Sequence, residues 1–292
     1  TVEPSRGKQA VTDENGHITS CGDTVLGADD FAGVSAILEG VASLLESGAT
    51  HPTLELLFTT GEEHFCVGAK AFDAERLQSK TAYVMDLSGP VGDCAVAAPT
   101  LITFSAEVVG KAAHAGFAPE DGVHAIQVAA AAVANLPSGR WGDVTVNVGT
   151  ISGGRATNIV PDSCTVTGEI RALCHQDALD RLNEIHSEFV EQAQAVDAKL
   201  NFNHTIHITG YRVDTDAPVA QRFKRACEAV GVAPRFTDTY GGSDCNILSA
   251  HGIQGLVVAT AMNNCHAVNE YTSVEELCKA GRLAQALMEK QD

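Results

Sequence analysis

Basic residues are scarce in this sequence: 19 lysines and arginines stand against 37 aspartates and glutamates, a formal charge of −18 over 292 residues. Such a surface repels phosphate backbones and anionic lipid, so nucleic acid and membrane surfaces are not expected as partners. No apolar run reaches the length of a membrane span. The longest, Val128 to Ala134, is alanine-rich and reads as a buried helix face. No two cysteines form a C-x-x-C pair, and nine of them, an odd and scattered set, argue against a disulfide framework. A reducing, cytoplasmic compartment is the expectation. Internal repeats, low-complexity segments and a signal-peptide pattern are all lacking. There is no initiator methionine, and Thr1 reads as the middle of a loop, so the natural N-terminus is expected upstream.

What is present is a regular alternation of elements. Phe31 to Ser47 has helical apolar spacing (Val34, Ile37, Leu38, Val41, Leu44, Leu45) and stops at Gly48. Leu54 to Thr60 reads as a short strand, Gly68 to Leu77 as a short helix and Ala82 to Leu87 as a buried strand, a pattern of mainly parallel α/β type. From Thr100 the pattern changes. Thr100 to Val109 alternates as a strand with one wet face, followed by a helix over Val123 to Asn135. Strands Val144 to Ile151 and Cys164 to Ala172, an amphipathic helix over Gln176 to Val196 and a strand over Leu200 to Ile208 complete a β-α-β-β-α-β, ferredoxin-like order. After Tyr211 the first pattern returns: helix Ala217 to Val230, strand Pro234 to Tyr240, buried strand Leu256 to Met262, and a closing helix from Ser273 with an S-x-x-E capping box. The division is therefore 1–98 and 211–292 for one domain, interrupted by a second over 99–210.

Polar residues gather at the ends of the apolar strands and at one helix start, where open α/β sheets place their sites. Asp29-Asp30 precede the helix from Phe31, and would cap it or bind a cation. Glu62-Glu63 end a strand; they read as a solvated turn or as one ligand beside one proton acceptor. Asp86 ends a buried strand, where turn aspartates are common. His266 comes after the strand ending at Met262, beside Cys265. Carboxylate and imidazole donors without clustered thiols suit a catalytic zinc-type site.

Each cluster is weak alone, but their order is informative. The runs TVEPSRGKQAV, GHITSCGDTVLGADDFAGVSAILEG, TTGEEHFCVGAK, VMDLSGPVG, GKAAHAG, GGRATNIVPD, GEIRA, YGGSDCN and NNCHAVNEYTSVEEL resemble the M20 metallopeptidases, in their peptidase T-like branch, over essentially the whole chain. The resemblance implies a zinc-peptidase-like α/β catalytic domain interrupted by an α+β ferredoxin-like lid that also makes a homodimer contact. It implies two Zn2+ per subunit, with Mn2+ or Co2+ as alternatives. Asp29 would bridge the metals across a cis Asp29-Asp30 peptide, Glu63 and His266 would complete one site, Asp86 would serve the other, and Glu62 would be the general base. His114 would assist at the oxyanion, Asn158 and Arg171 would bind substrate, and Gly242 and Ser243, in the Gly241–Asp244 turn, would lie near it. The implied reaction is hydrolysis of short peptides, tripeptides foremost. Dipeptidase, carboxypeptidase and N-acyl amino acid amidohydrolase activities are alternatives that fold and metal do not separate.

Two departures stand out. The family's first metal motif is His-x-Asp with Thr-Val directly after it, and Thr1-Val2 here matches that Thr-Val pair. The histidine ligand is expected upstream of the given sequence, together with the opening strands of the sheet; a catalytically impaired fragment is the corresponding alternative. Phe31 stands where relatives usually carry lysine. The 292-residue chain alone is thus expected to hold one zinc ion more tightly than a second, which a zinc titration reports: two equally tight ions would contradict it.

Overall fold

The computed structural model describes residues 2–290. It divides into two compact units, one running to Ala98 and resuming at Arg212, the other spanning Pro99–Tyr211. The first opens with a hairpin, β1 (Ala10–Thr12) and β2 (His17–Ser20), then α1 (Ala28–Ser47), α2 (Val67–Ala71), β3 (Thr81–Ser88) and β4 (Asp93–Ala98). The second contains β5 (Thr100–Val109), α3 (Ala125–Asn135), β6 (Gly139–Trp141), β7 (Val144–Gly153), β8 (Ser163–Ala172), α4 (His175–Gln194) and β9 (Lys199–Ile208). The chain continues through β10 (Tyr211–Arg212), α5 (Pro218–Ala229), β11 (Arg235–Asp238), α6 (Asp244–Ala250), β12 (Gln254–Met262), β13 (Tyr271–Ser273) and α7 (Val274–Met288).

The main sheet of the first unit has the order β10-β4-β12-β3, with β11 also on β4. The β12/β3 and β11/β4 pairs are parallel, and β12/β4 is antiparallel. β4 and β12 are nearly continuous buried runs, as strands covered on both faces must be. α1 lies against both β3 and α7. Its contact with β3 is close: a Cβ at Gly33 would stand 2.0 Å from the Met85 carbonyl oxygen. The second unit is a sheet of order β6-β7-β8-β5-β9 with antiparallel ladders throughout. One face of β5 (Ile102, Phe104, Ala106, Val108) packs under α3 and α4, and the inward residues of α4 (Ala178, Leu182, Ile185, Phe189, Ala193) recur at helical spacing. Each large side chain of that set contributes roughly 1.5–3 kcal/mol by burial.

Three segments differ from expectation. Leu54 to Thr60 forms no ladder among the described residues; the segment is part-exposed, with Leu56 48% and Phe58 50% accessible. Apolar β-prone residues make a strand only when a neighbour takes up their backbone groups. Gly68 to Leu77 is divided between a five-residue helix and a separate 3-10 turn over Ala74–Arg76, because Asp73 accepts the Glu75 N–H and starts a new cap. The Gly241–Asp244 turn leads into a further helix, α6, which Ser243 and Asn246 open with a reciprocal capping box.

The α1/β3 contact yields a direct test. Gly33→Ala forces backbone apart, since the nearest obstacle is the Met85 main-chain carbonyl, with the Asp30 carboxylate beside it. The expected loss is about 3 kcal/mol in denaturant unfolding, at the upper end of overpacking costs. A loss below about 0.5 kcal/mol, in the range of ordinary surface changes, would show that the helix yields freely.

Candidate metal centre

The acids enter one cleft of the first unit, about 780 Å³ in volume, from separate pieces of chain. Asp29 and Asp30 stand at the entry of α1. Gly27 there is left-handed (φ 79°), both aspartates depart from helical geometry, and the peptide between them is cis. Asp30 turns back to accept the Gly33 N–H at 3.1 Å. Glu62 and Glu63 occupy a 3-10 turn over Glu62–His64, entered through left-handed Gly61 (φ 67°). Asp86 lies on β3, next to Met85 where α1 approaches. His266 lies in the short loop after β12 and has φ 67°, a conformation that an L-residue adopts only when its surroundings hold it there.

Three of these side chains converge. The His266 Nε2 is 2.8 Å from Asp29 Oδ2 and 2.8 Å from Glu63 Oε1. One donor atom from each of the three residues lies within 4.8 Å of the other two. One imidazole and two carboxylates in that compass form a donor set for a divalent cation. Asp86 is outside this triad but inside the same cleft, where it feels the charge of its neighbours. Burial pushes its carboxyl well above the ordinary range, reinforced by Asp30, Glu62, Asp29 and Asp244. Burial raises Asp30 likewise, the Gly33 N–H pulls it back, and Asp29 raises it further. Glu62 is pushed up to about 7 by burial first, then by Glu63, Asp244 and Asp29. A carboxyl poised near neutrality can both accept and return a proton.

The remaining candidates are not members of this triad. Gly242 and Ser243 precede α6; Ser243 is 3% exposed, and its hydroxyl accepts the Cys245 N–H at 3.2 Å, so in this structure it serves as a helix cap. His114 and Asn158 belong to the second unit and are neighbours there: the Ala115 N–H donates to the Asn158 carbonyl, and the His114 ring lies 4.4 Å from that of Phe117. Arg171, on β8, is paired with Glu169 at 2.9 Å.

Sequence reasoning gave no separate role to Asp30 or Glu270, and placed Asp244 only in a turn near the substrate. Asp244 accepts a hydrogen bond from Thr59, while its Oδ1 is buried without a partner among the described residues. An orphaned buried carboxylate oxygen in an acid-lined cleft fits a site that receives a cation, as it fits one that holds water. Glu270 is fully buried and bonds the backbone of the Asp29 loop. The sequence signal for it was its place four residues after His266; the signal for Asp30 was its place beside Asp29.

The chain is similar to known peptidases. Residues 96–197 match the peptidase dimerisation domain of the M20 type, and residues 4–98 match peptidase family M28. An uncharacterized protein of Bacillus subtilis, YqjE, is 34% identical over 99% of this chain and 78% of its own length. The crystal structure of aminopeptidase PepT from Bacillus cereus is 37% identical and superposes with a TM-score of 0.93, covering 99% of this chain and 77% of that one. A tripeptidase from Staphylococcus aureus is 29% identical, with a TM-score of 0.95 over the same shares.

The crowded acids determine how stability responds to pH when no cation is bound. Carboxyls titrate near pH 4 in the unfolded chain, and Asp30, Glu62 and Asp86 titrate higher in the folded one. Their stabilising contribution is therefore complete below about pH 4 and is lost as pH rises through about 7 and beyond. In the presence of a chelator, the thermal midpoint is expected to fall between about pH 5 and about pH 8, and Asp86→Asn to fall less over that interval. An equal or steeper fall in the variant would mean that Asp86 is not part of the repelling set.

Proposed function

The chain belongs to the M20 peptidases, in their peptidase T-like branch, and from that premise we propose that it is a metal-dependent aminopeptidase acting on short peptides, tripeptides foremost. The observation that carries the proposal is the meeting of Asp29, Glu63 and His266 from three distant segments, with Glu62 beside them on the same turn. The donors fit Zn2+, with Mn2+ and Co2+ as alternatives for so oxygen-rich a set. A second cation would be held by Asp29 and Asp86. Bound cations would supply Lewis-acid polarisation of the scissile carbonyl and of the attacking water.

The chain's own residues do the rest. Glu62, raised towards neutrality by burial, takes the water's proton and delivers it to the leaving amine. The acid-lined cleft is electronegative and favours a substrate end bearing an ammonium group, which agrees with an aminopeptidase. Roles for His114 at the oxyanion and for Asn158, Arg171 and Gly242 in substrate binding rest on the motif resemblance. Homodimerisation through the second unit is supported by the family match over 96–197.

A panel of tripeptides, dipeptides and N-acyl amino acids, assayed with Zn2+, Mn2+ or Co2+ after chelation, tests the reading. Tripeptide cleavage that is abolished by chelator and restored by metal is expected. Glu62→Gln should lower kcat by roughly 10²- to 10⁴-fold while leaving metal stoichiometry unchanged. Cleavage restricted to N-acyl amino acids, or indifferent to chelator, would remove the proposal. Light scattering of the purified chain tests the dimer: a mass of twice 30.5 kDa is expected.

A further inference from the structure

We propose that Glu270 is a positioning residue, whose buried carboxylate clamps the loop bearing Asp29 to the loop bearing His266 and so sets the separation of two donors to one cation. Its purpose rests on the metal-site reading above; its geometry does not. Glu270 is 1% exposed. Its Oε2 accepts the Gly27 N–H at 2.6 Å and its Oε1 accepts the Asp29 N–H at 2.8 Å, across 243 and 241 residues of sequence.

Both amides belong to the entry of α1, where the first N–H groups have no carbonyl partner within the helix. Gly27, in the capping position, has no side chain to offer. The carboxylate takes over that role with two charge-assisted bonds, at the helix end that favours negative charge. Position 27 is left-handed, which disfavours the serine or aspartate that would cap a helix locally, and such a residue would in any case serve one loop. It could not join two loops. Glu270 can, because it sits at the base of the 263–271 loop. Asn263 and Tyr271 exchange both backbone hydrogen bonds there, at 3.0 and 3.1 Å, and the Glu270 N–H donates to the Ala267 carbonyl at 2.9 Å. His266 lies within this closed loop. Burying a charge is unfavourable unless it is fully bonded, so a buried glutamate with both oxygens on the Asp29 loop is a costly cap but an effective tie.

The test is a cobalt titration of the metal-free full chain, its Glu270→Gln variant and its Glu270→Asp variant, far below their unfolding temperatures. Visible absorption reports both affinity and ligand geometry. In Glu270→Gln one of the two amides faces an NH2 group, and cobalt binding is expected to weaken by roughly 10- to 100-fold with a shifted absorption band. Glu270→Asp keeps the charge but is one methylene short. It should lie between the two, and it carries the test where the glutamine variant fails to fold. In the wild-type chain, cobalt should also slow amide exchange at Gly27 and Asp29. Wild-type affinity and spectrum in a folded variant, with only the thermal midpoint lowered, would make Glu270 a plain structural cap and overturn the proposal. No cobalt binding by the wild-type chain would instead overturn the metal-site reading, and the positioning role with it.

Discussion

Like charges crowded into one place govern this molecule. Asp29, Asp30, Glu62, Glu63, Asp86 and Asp244 all line a single cleft, and burial there weakens the screening that water would provide. A chain free to rearrange would spread them apart. They stay together because each is fixed by something other than its charge: the entry of α1 for Asp29 and Asp30, a turn between left-handed residues for Glu62 and Glu63, a strand for Asp86, and the start of α6 for Asp244. The energy needed to hold the acids together is supplied by the apolar contacts of α1, β3, β12 and α7 behind them. A cation reverses the sign of the problem, converting mutual repulsion into shared attraction.

The same constraint separates what sequence discloses from what it hides. Elements whose faces are set by their own periodicity were legible: the stripe of α4, the alternation of β5, the apolar runs of β12 and the capped start of α7 all sit where spacing places them. The α/β fold with a ferredoxin-like insertion is built from these. Leu54 to Thr60 departs from its expected strand because composition says what a segment favours and not whether a neighbouring strand is there to pair with it. α6 is only seven residues long, too short to show a period, and its capping box of Ser243 and Asn246 overlaps a glycine-rich motif that reads as a turn.

In the site, the residues that converge were visible as polar positions after apolar strands or, for Asp29, at a helix start, and the order of motifs linked them. Their mutual distances were not visible, nor were the supporting contacts. Glu270 resembles any other acid in a polar stretch until the fold carries it 241 residues back to the Asp29 amide. Asp30 reads as the less interesting half of a pair until burial and the Gly33 N–H reveal its own environment. Long-range backbone contacts leave no local signature, so residues that act through them are the part that only coordinates disclose.

The missing side chain at Gly33 bears on how such a cleft can change over time. With α1 and β3 touching through main-chain atoms, one wall is already at its closest approach, and no exchange of side chains can draw it in further. The bend that carries the two glutamates is held as closely: Gly61, Phe65 and Cys66 are all left-handed there, and a Cβ at Gly68 would meet the Thr60 backbone. Drift towards new substrates or other ions should therefore register first in the side chains that line the cleft, while the main chain around it stays as it is.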